Sequence, residues 1–575
     1  MRENSEEAAP DERRKKGRTM NGDANKHGES GKAAGSALLK GAAVLGIAAV
    51  ASKLIGTMQK IPLQNIAGDG VFGIYNAVYP LYILILFLAT AGFPLVVSKF
   101  VSEQAAAGRD AEARRVLRVA ATTLAATGLL FFALLYFGAE RLAWLMGAEQ
   151  TGPAIRSVSF ALLFVPVMSA LRGYYQGYQN MIPTAVSQVV EQSARVVIMF
   201  ALLLLFVRYG CGPERIAAGA TFGSVAGAMA GLLVMLWFWR RDPRRAGLKA
   251  KQGAEAGAAP AESNWSLVRR LLAYALPICL GTIALPILTL VDSFTVPRLL
   301  KLHGMDETGA LLRFGLYNHG LPLVQLVAMI ASSMSAALVP SIADAKWRGD
   351  AEALRSRTAM SLRLAWLVGL AASVGLAMLA EPINAMLFKS PEGSWTMAVL
   401  AYTALFSTLN IVASSVLQGF GAVTAPALYL LAAAAVKVAG NIALVPRWGI
   451  DGAAAAAVAA YALAGLLALA HALRAAGVRP APGRAVIKPL LCTGLMAVAL
   501  LAVTHGLPAL LGALGASLPP RGMAAAVALV GVAAGALAYA LALLRLGAVT
   551  AAELGQVPQL SGKPLALLRK YRLLR

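Results

Sequence analysis

The sequence predicts an all-α polytopic membrane protein of about fourteen transmembrane helices: two six-helix lobes related by a parallel pseudo-two-fold repeat, plus two extra C-terminal helices. Three observations carry this. The 575 residues are 58% hydrophobic and 14% charged, and so small a charged share cannot cover a soluble fold, which carries about 25%. Apolar runs recur along the chain, and a helix of about 20 apolar residues crosses a bilayer core of roughly 30 Å. Short phrases also recur at one offset: FGIYN at 72–76 and FGLYN at 314–318, Pro80 and Pro322, QGY at 176–178 and QGF at 418–420, Arg195 and Lys437, each pair 242 residues apart.

In chain order, residues 1–35 are polar and without an apolar run, which predicts a disordered cytoplasmic tail rather than a cleaved signal peptide. Spans are expected at 36–58, 76–98, 119–138, 153–171, 182–207 and 216–239, the N-lobe of 36–240. Residues 241–265 are charged and rich in Gly, Ala and Pro, the composition of a mobile linker. The C-lobe (266–474) repeats the plan with spans at 271–297, 314–342, 364–382, 395–417, 425–446 and 451–473. Spans at 489–508 and 522–544, within 485–546, have no counterpart in the repeat, and residues 547–575 form a basic tail. Each lobe has an even number of spans, so both have the same orientation, a transporter plan with the substrate between the repeats.

The net charge of +24 follows topology. With the N-terminus in the cytoplasm, cytoplasmic segments hold 38 Lys and Arg and outer segments 11, the positive-inside bias of a multi-pass protein with both termini cytoplasmic. That distribution excludes a nucleic-acid partner and leaves attraction to anionic membrane lipids.

Three basic residues fall within spans: Lys53, Arg195 and Lys437. Charged groups there are costly and by default face an internal cavity. Glu191 lies four residues before Arg195 and can pair with it along one helix. Asp292 is the clear carboxylate of the seventh span, and its repeat equivalent, residue 50, lies three residues from Lys53, so Lys53 and Asp292 are expected to meet at the outer rim of a cavity. Asn76, Asn318, His319, Gln176, Gln418 and Asn441 are the candidate gating or cavity polar groups. Pro277 and Pro286 bracket about two turns of the seventh span, where a helix break is expected.

Other chemistries find no support. Cys211, Cys279 and Cys492 are far apart with no CxxC, and the five histidines lack metal-ligand spacing, so neither a disulfide framework nor a metal site is expected. GESGK (28–32) lacks the upstream Gly and the Ser/Thr of a phosphate loop, and GDGVFG (68–73), with no preceding strand, reads as a turn in an outer loop. No catalytic residue, enzyme activity or cofactor is expected.

The stretches ASKLIGTMQKIPLQNIAGDGVFGIYNAVYPLYILILFLATAGFPLVVSKFVSE (51–103), LQGFGAVTAP (417–426) and KVAGNIALVPRWGIDGAAAAA (437–457) resemble the lobe signatures of bacterial lipid-linked oligosaccharide flippases. The likeness is to the branch of Gram-positive lipid II flippases and stage V sporulation protein B, within the multidrug/oligosaccharidyl-lipid/polysaccharide exporter superfamily. It covers residues 36–546 and implies a monomeric, V-shaped, alternating-access transporter of the bacterial cell membrane. The cargo it implies is an undecaprenyl-pyrophosphate-linked oligosaccharide such as lipid II, with Lys53, Arg195 and Lys437 as counter-charges and the last two spans as a groove for the lipid tail. Gram-negative members carry arginines in the first, second and eighth spans; here Lys53 and Gln59 stand at the first-span positions, so those contacts do not carry over. Some members bind sodium between second-lobe helices; a fixed cation at Lys437 would repel it, and coupling to membrane potential or protons is expected instead. A flippase for another polysaccharide unit and a multidrug/cation antiporter are the alternatives, the latter needing free intramembrane carboxylates.

Overall fold

The computed structural model describes residues 41, 43–90, 92–246, 263–479, 483–514 and 518–549. The expected N-terminal tail, the greater part of the linker and nearly all of the basic tail lie outside these. Among the described residues the secondary structure is helical throughout.

The N-lobe comprises α1 (43–58), α2 (Lys60–Thr90), α3 (Phe93–Ala106), α4 (Asp110–Met146), α5 (Gly152–Ser159), α6 (Val165–Gly177), α7 (Ile182–Arg208) and α8 (Pro213–Arg240), with the single turn α9 (Pro243–Ala246) after it. The C-lobe comprises α10 (Asn264–Leu302), α11 (Glu307–Tyr317), α12 (Leu321–Trp347), α13 (Ala351–Met378), α14 (Ala380–Phe388), α15 (Ser394–Gly419) and α16 (Thr424–Ala476). Helices α17 (Lys488–Ala513) and α18 (Pro520–Arg545) pack on each other and against α13 and α14.

Eleven stretches among the described residues are long and apolar enough to cross a membrane. Two are compound. Ala43–Ala106 runs from α1 through α3, and Thr424–Ala476 joins two helices at Gly449 (φ 58°, ψ −134°), just after Pro446. The seventh expected span lies in α10, whose backbone stays helical through positions 277 and 286; the break expected there does not occur.

The repeat is visible in the helix bounds. Residues 152–177 are α5 and α6 and residues 394–419 are α15, a shift of 242. These are the most enclosed stretches of the two lobes, 67% and 72% buried. The copies diverge where their sequences do. After FGIYN the first copy continues AVYP, and α2 runs unbroken through Pro80. After FGLYN the second has HGLP; α11 ends at Tyr317 and α12 restarts at Leu321 with Pro322 in its first turn. Gly is a poor helix former, so Gly320 in place of Val78 lets the second copy break before the proline that both copies share, and Pro322 then suits the first turn of the new helix. In the first copy the break lies at Gly92 (φ 69°), with Pro94 starting α3, so the second expected span bends in its middle.

Packing between the lobes is carried by α2, α3 and α4 on one side and α10, α11 and α14 on the other. At one end of the molecule, the meeting end, contacts are dense. Lys301 bonds Glu149 (3.1 Å), the Gln150 amide N–H donates to Glu307 (2.7 Å), and the Gln150 side chain donates to Thr308 (3.1 Å). Asn65 donates to the Leu387 carbonyl, and its own carbonyl accepts from Lys389 at 3.2 Å.

Candidate functional site

The repeated phrase is the lobe-to-lobe contact itself. A Cβ on Gly73 would lie 1.9 Å from the Leu311 carbonyl oxygen, and a Cβ on Gly315 would lie 2.1 Å from the Asp69 carbonyl oxygen. Residues 69 and 311, like 73 and 315, are 242 apart, so the contact is reciprocal, as at an isologous interface. Only a residue without a side chain lets the two backbones approach so closely. Asn76 and Asn318 turn inward on their own helices: each donates to the carbonyl four residues back, Phe72 (2.8 Å) and Phe314 (2.6 Å). They cap and brace the phrase, and their side chains do not span the gap.

Beside this contact His319 is fully enclosed. Its Nε2 lies 2.6 Å from Asp69 Oδ1 of the other lobe, its Nδ1 lies 2.8 Å from Asn384 Oδ1, and its ring stacks on Phe388 at 4.1 Å. GDGVFG is therefore not an outer-loop turn. Gly68 (φ 80°) makes a single-residue kink, the segment beyond it is helical, and Asp69 reaches across to His319.

The N-lobe holds a buried chain of charge. Helix α7 is clamped by a ribbon of glycines on α8: a Cβ on Gly223 would meet the Arg195 carbonyl oxygen at 2.6 Å, and one on Gly227 the Glu191 carbonyl oxygen at 2.6 Å. Small residues at i, i+4 let helices pack backbone to backbone. From that clamped helix Arg195 donates to Glu191 (3.3 Å) and to the Tyr79 hydroxyl (3.4 Å), while Glu191 also accepts from Arg172 (2.8 Å). On the other side of Tyr79, Lys60 Nζ lies 5.9 Å from the ring centre. Gln59 donates to the Tyr75 hydroxyl at 3.3 Å. Arg172 and Arg195 thus share the carboxylate of Glu191 while Lys60 has no acid beside it among the described residues, and Arg195 Nε, Gln192 Nε2, Gln59 Oε1 and the Tyr82 hydroxyl are buried there without a hydrogen-bond partner. In this wall Arg195 Nε, Gln192 Nε2 and the Tyr82 hydroxyl are spare donors beside excess positive charge, which suits an anion, whereas Gln59 Oε1 is an acceptor and does not.

The C-lobe treats the equivalent cation differently. Lys437 is 2% exposed and donates to Asp292 Oδ2 (2.6 Å) and the Leu288 carbonyl (2.8 Å). Asp292 accepts further from the Tyr317 hydroxyl (2.7 Å) and Asn441 (3.2 Å), and Asn441 also donates to Thr295 (2.7 Å). This pair is neutral overall and nearly saturated.

Several sequence expectations are thereby corrected. Lys53 lies on an exposed face of α1 and does not meet Asp292, which is taken by Lys437; the buried cation of the first membrane passage is Lys60, seven residues on. Lys437 is not a free counter-charge in this conformation. Gln418 is exposed and Gln176 half-buried, both at helix C-terminal ends; the shared QG phrase serves packing through Gly177 against Val101 and Gly419 against Ile342. Sequence reasoning placed Lys60 and Arg172 in loops and passed over Tyr79, Asp69 and Asn384. The stripe Tyr75, Tyr79, Tyr82, spaced for one helix face, was the available signal.

Comparison with known proteins agrees with this architecture. The chain is 33% identical over 520 residues to the uncharacterized membrane protein YabM of Bacillus subtilis (strain 168), covering 90% of this chain and 94% of that one. It is 29% identical over 441 residues to the lipid II flippase MurJ of the same organism, covering 74% and 80%. Among solved structures it resembles the inward closed conformation of a lipid II flippase MurJ, with TM-score 0.59, 14% identity, and coverage of 87% and 97%. Residues 38–346, more than half of the chain, match the polysaccharide biosynthesis protein family, and with the helical repeat, the paired lobes and the relative at 33% identity, the chain belongs to that family.

Proposed function

We propose that this protein moves an undecaprenyl-pyrophosphate-linked cell-wall precursor, lipid II in the first instance, from the inner to the outer leaflet of a bacterial cell membrane by alternating access. In this reading both termini are cytoplasmic and the meeting end faces outward, as the 38-to-11 distribution of basic residues requires. The observation that carries it is the net positive N-lobe chain in which Arg172 and Arg195 share the carboxylate of Glu191 and Lys60 lies buried beside Tyr79. A pyrophosphate cannot cross hydrocarbon without counter-charge. This wall offers it, while the prenyl tail stays in lipid. The relatives named above support a lipid-linked cargo.

An exporter exchanging drugs for cations is less well supported, since Asp292, the C-lobe carboxylate such exchange would use, is covered by Lys437. A flippase for another lipid-linked polysaccharide unit uses the same wall and is favoured by the family's description.

The test is depletion in the native host, reading whether lipid II stays accessible to an added enzyme that cleaves its outward-facing head group. Accessibility should fall and be restored by the wild type and by Lys53→Ala. Lys60→Met combined with Arg195→Ala should not restore it, although Arg172 still neutralises Glu191. Unchanged accessibility in a host with no other flippase would remove lipid II and leave another glycolipid as the cargo.

A further inference from the structure

The Asp69–His319 contact belongs to neither charged cluster, and its hydrogen bonds dictate how many protons it holds. Asn384 has its orientation fixed: its Nδ2 donates to the Glu392 carbonyl (2.8 Å) and to the Ser394 hydroxyl (3.0 Å), so its Oδ1, an acceptor, is what faces His319 Nδ1. Across the ring, Nε2 faces Asp69 Oδ1, an oxygen that already accepts from Gln64 Nε2 at 3.0 Å. Both ring nitrogens therefore face acceptors. A neutral imidazole has one N–H and one lone pair, and here its lone pair would point at an oxygen. The geometry is satisfied when ring and carboxylate together hold one proton more than a neutral imidazole and a carboxylate.

We propose that Asp69 and His319 form a proton-binding site, filled when the lobes meet and emptied when they part. On parting, the His319 ring leaves both acceptors for water, which can donate as well as accept, so nothing in its surroundings then requires the extra proton. The N–H proton passes to water and Asp69 remains a carboxylate, so one proton is released per opening and one taken up per closure. The joined state binds the extra proton; acid favours it and alkali weakens it. The other charged groups nearby are engaged elsewhere. Glu392 pairs with Arg313 (3.2 Å), Lys389 bonds the Asn65 carbonyl, and Arg521, at the start of α18, donates to the Met386 carbonyl (2.9 Å). Phe72 and Phe388 supply the apolar walls. The proposal rests on the transporter reading only for the parting of the lobes, and its test needs no cargo.

The experiment uses the full chain in lipid nanodiscs, with its three cysteines replaced by serine and spin labels at Tyr209→Cys and Trp395→Cys, exposed positions on the two lobes. Distance distributions are recorded from pH 5.5 to 8.5. The ratio of parted to joined molecules should rise with pH, by up to about tenfold per unit for one linked proton. His319→Gln and Asp69→Asn should flatten that dependence, whereas Gln150→Ala, which removes a non-titrating contact at the same end, should keep it. Labels that part equally at every pH, or His319→Gln with the wild-type dependence, overturn the proton site and leave the transporter reading standing. Labels that never part overturn both.

Discussion

Alanine at Gly73 holds the lobes apart at the meeting end, and alanine at Gly315 does so to the same extent. A Cβ at either position falls about 2 Å from a carbonyl oxygen of the other lobe. The obstacle is backbone, with no flexible side chain to swing away, so the helices have to separate. Overpacking of this kind costs about 1–3 kcal/mol, which shifts a two-state ratio by roughly 5- to 150-fold. The readout is cross-linking of Gln150→Cys with Thr308→Cys, whose side chains touch at 3.1 Å across the lobes. The bond should form readily in the parent and poorly with either alanine. Equal yields in all three would mean that Gly73 and Gly315 do not set the approach of the lobes. The equality of the two effects is the sharper demand, because it follows from the reciprocity of the contact alone.

The second large effect concerns the C-lobe pair. Asp292→Ala leaves the Lys437 ammonium enclosed, with the Leu288 carbonyl as its one remaining partner among the described residues. Stranding a buried charge costs about 3–5 kcal/mol, whereas replacing both partners with apolar groups is often neutral. The expected order of thermal stability of the purified protein is therefore wild type, then Asp292→Ala/Lys437→Met, which strands only the neutral Tyr317 hydroxyl at about 1–3 kcal/mol, with Asp292→Ala well below both. Lys437→Met should fall between, because the Tyr317 hydroxyl and Asn441 still donate to Asp292. An Asp292→Ala protein as stable as the wild type would show that water or lipid head groups reach Lys437, and that the cluster is open where it is drawn as shut.

The architecture was legible because it is written in long-range regularities. The offset of 242 joins α5 and α6 to α15 without slippage, and apolar runs mark the helices that bury them. The site was less legible for a physical reason: its groups are satisfied by partners far along the chain. The segment 60–75 carries Gln64, Asn65, Gly68, Asp69 and Gly70, which by local propensity is a loop. It is helical because Asn65 finds Leu387 and Lys389 and Asp69 finds His319 in the other lobe. As a loop it would end the first membrane passage before Lys60, which makes Lys53 the expected cavity cation; as a helix it carries Lys60 into the interior instead. Lys437 and Asp292, 145 residues apart, gave no local sign of each other. Glu191 and Arg195, one helical turn apart, did.

The reciprocal glycine contact is what two copies of a half-length ancestor would make as a homodimer, and fusion into one chain released it from symmetry. In a homodimer every substitution arrives twice: a histidine after the phrase would face its partner's acid on both sides of the axis, and two protons would bind where one does now. In the fused chain position 319 is His while its counterpart 77 is Ala, and position 292 is Asp while its counterpart 50 is Val. Each lobe has been free to specialise, one keeping its buried positive charge uncompensated and the other cancelling it. Duplication supplied the reciprocal contact; divergence let the two halves carry different charges behind it.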